Sequence, residues 1–127
     1  MIAEAEGDLE AAEYWERVGE ALQTATEGAS AFADAMSKGN KMSAEDLAKL
    51  IAIDPSKQDE ILNAYAAGGT EWAEYAYNEA MRYYAQMEQL YANDPIMLAA
   101  ILQEKEALQT DYYSTVQKEV EASAKAQ

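Results

Sequence analysis

The chain has 127 residues, 24 acidic and 9 basic side chains, a net charge of −15, and neither cysteine nor histidine. It therefore forms no disulfide and lacks the commonest general base and metal ligand, while its acidic balance argues against nucleic acid or anionic membranes as partners. No apolar run reaches transmembrane length, and the acidic N-terminal segment does not resemble a signal peptide. We expect a single helical domain over residues 1–127, without a cofactor or membrane insertion, in the cytoplasm or exported without a cleavable signal peptide.

Residues 9–37 are predicted to form one long helix, because apolar residues recur there at spacings of three and four. The segment 1–37 is strongly acidic, with nine acids and one arginine. The middle of its apolar stripe consists of small residues, which allow another helix to approach closely. Ala21, Ala25 and Gly28 are therefore candidates for a subunit interface, although the plainer interpretation is an ordinary alanine-rich helix.

Residues 38–69 are predicted to connect the long helices through two short ones. Gly39 stands where a glycine commonly ends a helix, and Ser43 opens a sequence of the capping-box type. Asp54-Pro55 begins the second short helix by combining a capping side chain with a proline at the first helical position. Gly68-Gly69 is expected to end it.

The next predicted helix, residues 70–92, begins at a capping Thr70 and is rich in tyrosine. Tyrosine has a large apolar body and a polar tip, so it serves cores and interfaces alike. Tyrosines on several faces cannot all pack against one helix, so either several helices surround this one or some tyrosines contact another protein. Its apolar stripe contains Trp72, Tyr83 and Met87, and the candidate interface tyrosines are Tyr75, Tyr77 and Tyr84.

Asn93-Asp94-Pro95 separates this helix from the last one, predicted over residues 95–122. Proline suits the first helical position, and Asp94 can cap the free N–H groups behind it. Asn93 is expected to end the preceding helix in a left-handed conformation. Residues 70–122 are therefore predicted to form a helical hairpin with almost no loop. Its seam is expected to contain Trp72, Tyr83, Met87, Leu98, Ile101, Leu108 and Tyr112.

Carboxylates are the only abundant side chains of the kind that commonly serve in catalysis or metal binding. Their number suggests a solvated acidic surface rather than a catalytic or metal site. Di-iron bundles use Glu-x-x-His pairs, and calcium loops require aspartates at alternate positions before a glycine. Neither pattern occurs, and the acids are expected to lie off the apolar stripes. We therefore predict no catalytic, cofactor-binding or metal residue, and a protein that is not an enzyme.

Residues 87–118 resemble the hairpin of type III secretion needle subunits. The resemblance rests on the turn at Asp94-Pro95, a Leu/Ala run with a following glutamine, and an aromatic residue before a helix ending in Thr-Val and lysine. It covers about a quarter of the chain. The positions that carry it are Asp94, Pro95, Leu98, Ala99, Ala100, Gln103, Tyr112, Thr115, Val116 and Lys118.

The resemblance implies an all-α, structural, self-assembling subunit, as in a secretion-type or other extracellular filament. The partner would then be a second copy of the chain, in a homo-oligomer or filament. The net charge favours an alternative, a small acidic cytoplasmic chaperone or adaptor that binds a partner helix in an apolar groove bordered by acids. Sedimentation separates the two hypotheses, because only the first predicts a concentration-dependent polymer.

Overall fold

A computed structural model describes the backbone of residues 2–126, with side chains for 12, 13, 15–39, 41–122, 124 and 125. The described backbone is almost entirely helical and contains no β-strand, which confirms the all-α prediction. The helices are α1 (Ile2–Lys38), α2 (Ala44–Ile53), α3 (Gln58–Ala67), α4 (Gly69–Leu90) and α5 (Pro95–Ala126).

Local sequence chemistry sets the end of α1 and the start of α2. Gly39 has φ +57°, the left-handed conformation expected of a residue that follows a helix. A 3₁₀ turn, Gly39–Lys41, comes next. Ser43 then accepts from the backbone N–H of Asp46 at 3.1 Å, and the Asp46 carboxylate accepts from the Ser43 N–H at 3.3 Å. This reciprocal capping box fixes the first turn of α2.

Asp54 and the paired glycines set the ends of α3. The Asp54 carboxylate accepts from the N–H of Ser56 at 3.2 Å and begins a 3₁₀ turn, Pro55–Lys57, that continues into α3. Gly68 and Gly69 have φ values of +67° and +54°, so the chain reverses between α3 and α4 where only glycine is unstrained. The predicted cap at Thr70 is wrong, because α4 begins at Gly69 with Gly68 as a cap that uses no side chain.

The turn between α4 and α5 follows the prediction at Asp94 and differs from it at Asn93. Asp94 Oδ1 accepts from the N–H of Met97 at 3.1 Å, and Pro95 is the first residue of α5. Asn93 does not adopt the expected left-handed conformation, since no described residue other than glycine has a positive φ. Instead α4 ends at Leu90, and the Asp94 N–H donates to the Tyr91 carbonyl at 2.9 Å to close the turn.

Helix α4 lies at the centre of the fold, packed mainly against α1 and then against α5. Both neighbours run antiparallel to it. The start of α4 meets the end of α1, where Trp72 reaches Ala35, and also the second half of α5, where Tyr77 stacks on Tyr112. The buried core consists of Ala25, Ala29, Phe32, Ala35 and Met36 of α1, Leu50 and Ile61 of the short helices, Trp72, Ala73, Ala76, Ala80, Tyr83, Tyr84 and Met87 of α4, and Ile101 and Leu108 of α5.

Candidate interaction surfaces

One side of α4 packs against α1. The indole N–H of Trp72 donates to the Ala35 carbonyl at 3.0 Å, and the Tyr83 ring stacks on Phe32 with centroids 5.9 Å apart. Gly28 permits this packing, because a Cβ placed there would lie only 2.7 Å from atoms of the Tyr83 ring. Trp72 and Tyr83, both named for the seam with α5, thus contact α1.

Tyr75 also belongs to the interior side of the bundle. Its ring meets Phe32 edge-on at 6.3 Å and stacks on Trp72 at 6.0 Å, while its hydroxyl donates to the Glu60 carboxylate at 3.3 Å. Desolvation by burial raises the pKa of Tyr75, and the negative charges of Glu79 and Glu60 add to this. The side chain joins α1, α3 and α4 within one chain.

A second side of α4 packs against α5. Tyr77 stacks on Tyr112 with centroids 4.3 Å apart, and Lys105 donates to the Glu88 carboxylate at 2.6 Å. The other predicted seam residues of α5 are placed at different depths, with Ile101 and Leu108 buried and Leu98 half-buried.

The residues predicted as a subunit interface are therefore mostly engaged inside the chain. Ala25 and Gly28 are buried, Tyr84 is only 7% exposed, and Tyr75 and Tyr77 are half-buried in ring stacks. Ala21 is exposed on α1. The structure brings Gly28 to Tyr83 and Tyr77 to Tyr112, but it gathers no exposed surface from the six interface positions together.

A buried carboxylate at Glu79 corrects the expectation that the acids all lie off the apolar stripes. Glu79 is 8% exposed. Its carboxylate accepts from Lys57 at 2.8 and 2.9 Å and from Arg82 at 3.0 Å, so the buried charge is compensated on both oxygens. The sequence signal that could have found it is the position of Glu79 beside the apolar residues of α4. This cluster ties the start of α3 to α4 and has a structural role.

The outer face of α5 remains uncovered. Leu102, Tyr113 and Val120 are 55%, 62% and 57% exposed. Their separations of 11 and 7 residues place them within roughly 20° of one line along a helix of about 3.6 residues per turn. Within about 60° of that line, the outer face comprises Leu98, Ala99, Leu102, Lys105, Glu106, Gln109, Tyr113, Val116, Gln117 and Val120.

This outer face is close to neutral on a chain of net charge −15. Between positions 98 and 120, which the structure describes in full, the face has one acid, Glu106, and one base, Lys105, whose ammonium is paired with Glu88. Depletion of charge around aromatic and aliphatic side chains is typical of the centre of a protein interface. Trp15, 68% exposed on α1, and Ile96, 81% exposed at the start of α5, lie apart from it.

A groove between α1 and α5 forms a second surface, on the opposite side of α5. Its volume is about 420 Å³ and its floor is apolar, formed by Ala29, Ala33, Tyr84, Met87 and Leu108. We call it the acidic groove because its charged lining residues are all carboxylates, Asp34 of α1 and Glu104 and Asp111 of α5. Thr26, Ser30 and Ala107 complete the lining with small side chains.

The carboxylates of the acidic groove affect the ionisation of Tyr84 on its floor. Desolvation raises the pKa of Tyr84, and the charges of Glu104 and Asp34 raise it further. Further along the same two helices the charge reverses, because Lys38 at the end of α1, Lys41 in the turn that follows and Lys118 of α5 line a separate opening with Glu119. The acidic lining therefore extends over only part of the space between α1 and α5, and a mainly basic lining follows it.

The described residues contain no group of three or more acidic side chains arranged to hold a metal ion. None of the helices in the part of the chain that the structure describes is both long and apolar enough to cross a membrane. Comparisons of the chain with protein-family models, curated proteins and solved structures find no match.

Proposed function

We propose that the chain is a structural, self-assembling helical subunit rather than an enzyme, and that its copies associate through the outer face of α5. The observation that carries the proposal is the alignment of Leu102, Tyr113 and Val120 on one exposed and nearly neutral face. Water contact with this apolar surface is unfavourable, and burial against another apolar surface removes it.

Charge distribution supports the same proposal. Copies with a net charge of −15 repel one another, so a surface on which they meet must have few acids. The outer face meets that condition, whereas most of the exposed side chains described on α1 are acidic or small and polar. The resemblance of residues 87–118 to type III secretion needle subunits is in keeping with a filament, since it lies on the same hairpin.

Sedimentation velocity of the full chain at increasing concentration and salt tests the proposal. We expect species larger than a monomer to grow with concentration, and more strongly at higher salt, because screening weakens repulsion beyond a Debye length of about 8–10 Å. A monomer at every concentration and salt would exclude self-assembly. Electron microscopy of the largest species then distinguishes an open filament from a closed oligomer.

Two charge insertions on α5 test the surface itself. Leu102→Glu and Val120→Glu place a carboxylate on the outer face and should abolish the larger species. Ile96→Glu is the matched control, because it replaces an exposed apolar residue of the same helix by the same charge outside that face. Equal loss of assembly in all three variants would attribute it to net charge and contradict the proposal.

A further inference from the structure

We propose that the acidic groove between α1 and α5 binds a cationic amphipathic helix of another protein, with leucine-type side chains on the floor and lysines at the rim. This inference goes beyond self-assembly and does not rest on it, because Glu104 and Leu102 lie on opposite sides of α5. The groove and the outer face can therefore be occupied together.

The shape of the groove fits one face of a short helix. Its walls run over Thr26–Asp34 of α1 and 104–111 of α5, which corresponds to roughly 12 Å or two helical turns. The small residues Ser30 and Ala107 line it, so a second backbone can approach closely. Amphipathic helices bind such grooves through apolar anchors spaced three and four residues apart.

The charge of the groove selects the class of partner. Asp34, Glu104 and Asp111 are exposed and line the groove without a basic residue among its lining positions. None of the three takes part in an ion pair described for this structure, whereas the Glu88 carboxylate of α4 is held by Lys105 of α5 at 2.6 Å. An acidic or neutral helix would leave these carboxylates facing one another across an apolar floor. Lysine or arginine side chains at the flanks of an apolar stripe complement them.

Binding of a defined peptide tests the inference. The probe is a synthetic helix of about 14 residues, roughly 21 Å long, with leucines on one face, lysines at both flanks and alanines elsewhere. Titration calorimetry is performed at a protein concentration at which sedimentation shows a monomer, so that failure of self-assembly does not affect the result. We expect saturable one-to-one binding that weakens with added salt.

Neutralisation of the groove is compared with an equal neutralisation elsewhere. The variant Asp34→Asn/Glu104→Gln/Asp111→Asn should weaken binding roughly tenfold, because each exposed ion pair contributes modestly. The control Glu16→Gln/Glu20→Gln/Glu106→Gln has the same net charge, alters exposed sites outside the groove, and should bind within about twofold of the original chain. Equal weakening in both variants would show non-specific attraction and overturn the inference.

The apolar part of the contact is tested with two further probes. Replacing the peptide's leucines by glutamine should abolish saturable binding, and replacing its lysines by glutamate should do the same. Tight binding of either probe would overturn the inference, because the groove would not then recognise an apolar stripe with basic flanks. Ala107→Lys, at an exposed position in the wall, should also weaken the original peptide at least tenfold. Undiminished binding to that variant would place the peptide elsewhere.

Discussion

Helices α4 and α5 carry similar apolar residues but use them differently. Helix α4 is surrounded by α1, α3 and α5, and buries aromatic side chains on more than one side. Helix α5 packs against α4 along one line and fully buries only Ile101 and Leu108 among its described large side chains. A helix rich in tyrosine is therefore the hub of this fold, and the helix without an unusual composition has the uncovered apolar face.

The largest expected effect separates the hub from the uncovered face directly. Trp72→Ala removes a fully buried indole and should lower the free energy of unfolding by about 3–5 kcal/mol. Leu102→Ala, on the outer face of α5, should change it by less than about 0.5 kcal/mol. Urea denaturation followed by circular dichroism measures both, at a concentration at which sedimentation shows a monomer. A comparable loss in the two variants would mean that Leu102 is covered within the monomer and that the comparison fails.

A smaller effect tests the contact between α4 and α1. Gly28→Ala would place a Cβ 2.7 Å from the Tyr83 ring, which Phe32 holds from its own side. Overpacking should outweigh the helix propensity gained and lower the free energy of unfolding by about 1–2 kcal/mol.

Gly19→Ala provides the matched control on the same helix. A Cβ at Gly19 would meet no atom within 4 Å, so this change should stabilise the protein by up to about 1 kcal/mol. The two variants should therefore shift the urea midpoint in opposite directions. A shift in the same direction would show that Tyr83 moves aside without cost and that the hub is packed less tightly than described.

These contacts also show which features could be predicted from sequence. The capping box at Ser43, the left-handed Gly39 and the Asp94-Pro95 start of α5 depend on neighbouring residues, and each was predicted. The predictions that Thr70 begins α4 and Asn93 ends it rest on residue type, but the geometry of the chain reversal determines which residues begin and end a helix. The glycines at 68 and 69 turn the chain before Thr70, and α4 ends without a left-handed residue at 93.

The rotation of α4 could not be predicted in the same way. The sequence predicts that Trp72 and Tyr83 pack against α5 because α4 and α5 adjoin in sequence, but α1 offers an apolar stripe too. The choice depends on long-range fit, in particular on the space that Gly28 leaves for Tyr83. The acidic groove likewise joins residues about 70 apart in the chain, and spacing alone does not bring Asp34 to Glu104.

The turn that joins the two helices should respond weakly to mutation. Asp94→Ala removes the acceptor of the Met97 N–H and should cost about 0.5–2 kcal/mol. Asp94→Asn keeps a side-chain acceptor and should cost less. Thermal unfolding measures the order of the two. If both variants unfold at the same temperature as the original chain, the α4–α5 packing alone fixes the turn, and the cap contributes nothing measurable to stability.

The smallest predicted effect on stability near neutral pH is that of replacing Tyr84, on the floor of the acidic groove where α4 and α5 meet. The folded state raises the pKa of Tyr84 above its ordinary value of 10.0, through desolvation first and then through Glu104 and Asp34. Below pH 10 the phenol is protonated in both states. Above it the unfolded chain loses protons while the folded chain retains them, so stability should fall as pH rises. Tyr84→Phe removes the share of this pH dependence that Tyr84 contributes, while Tyr75, whose pKa is also raised, keeps its own. The variant should therefore stay folded to a higher pH, followed by circular dichroism, with a change of less than about 1 kcal/mol at pH 7. Tyr113→Phe removes a phenol from the exposed side of α5 and is the matched control. If both variants stay folded to the same higher pH, general charge repulsion would explain the alkaline unfolding. The burial of Tyr84 in α4, compared with the exposure of Tyr113 in α5, would then make no difference to stability.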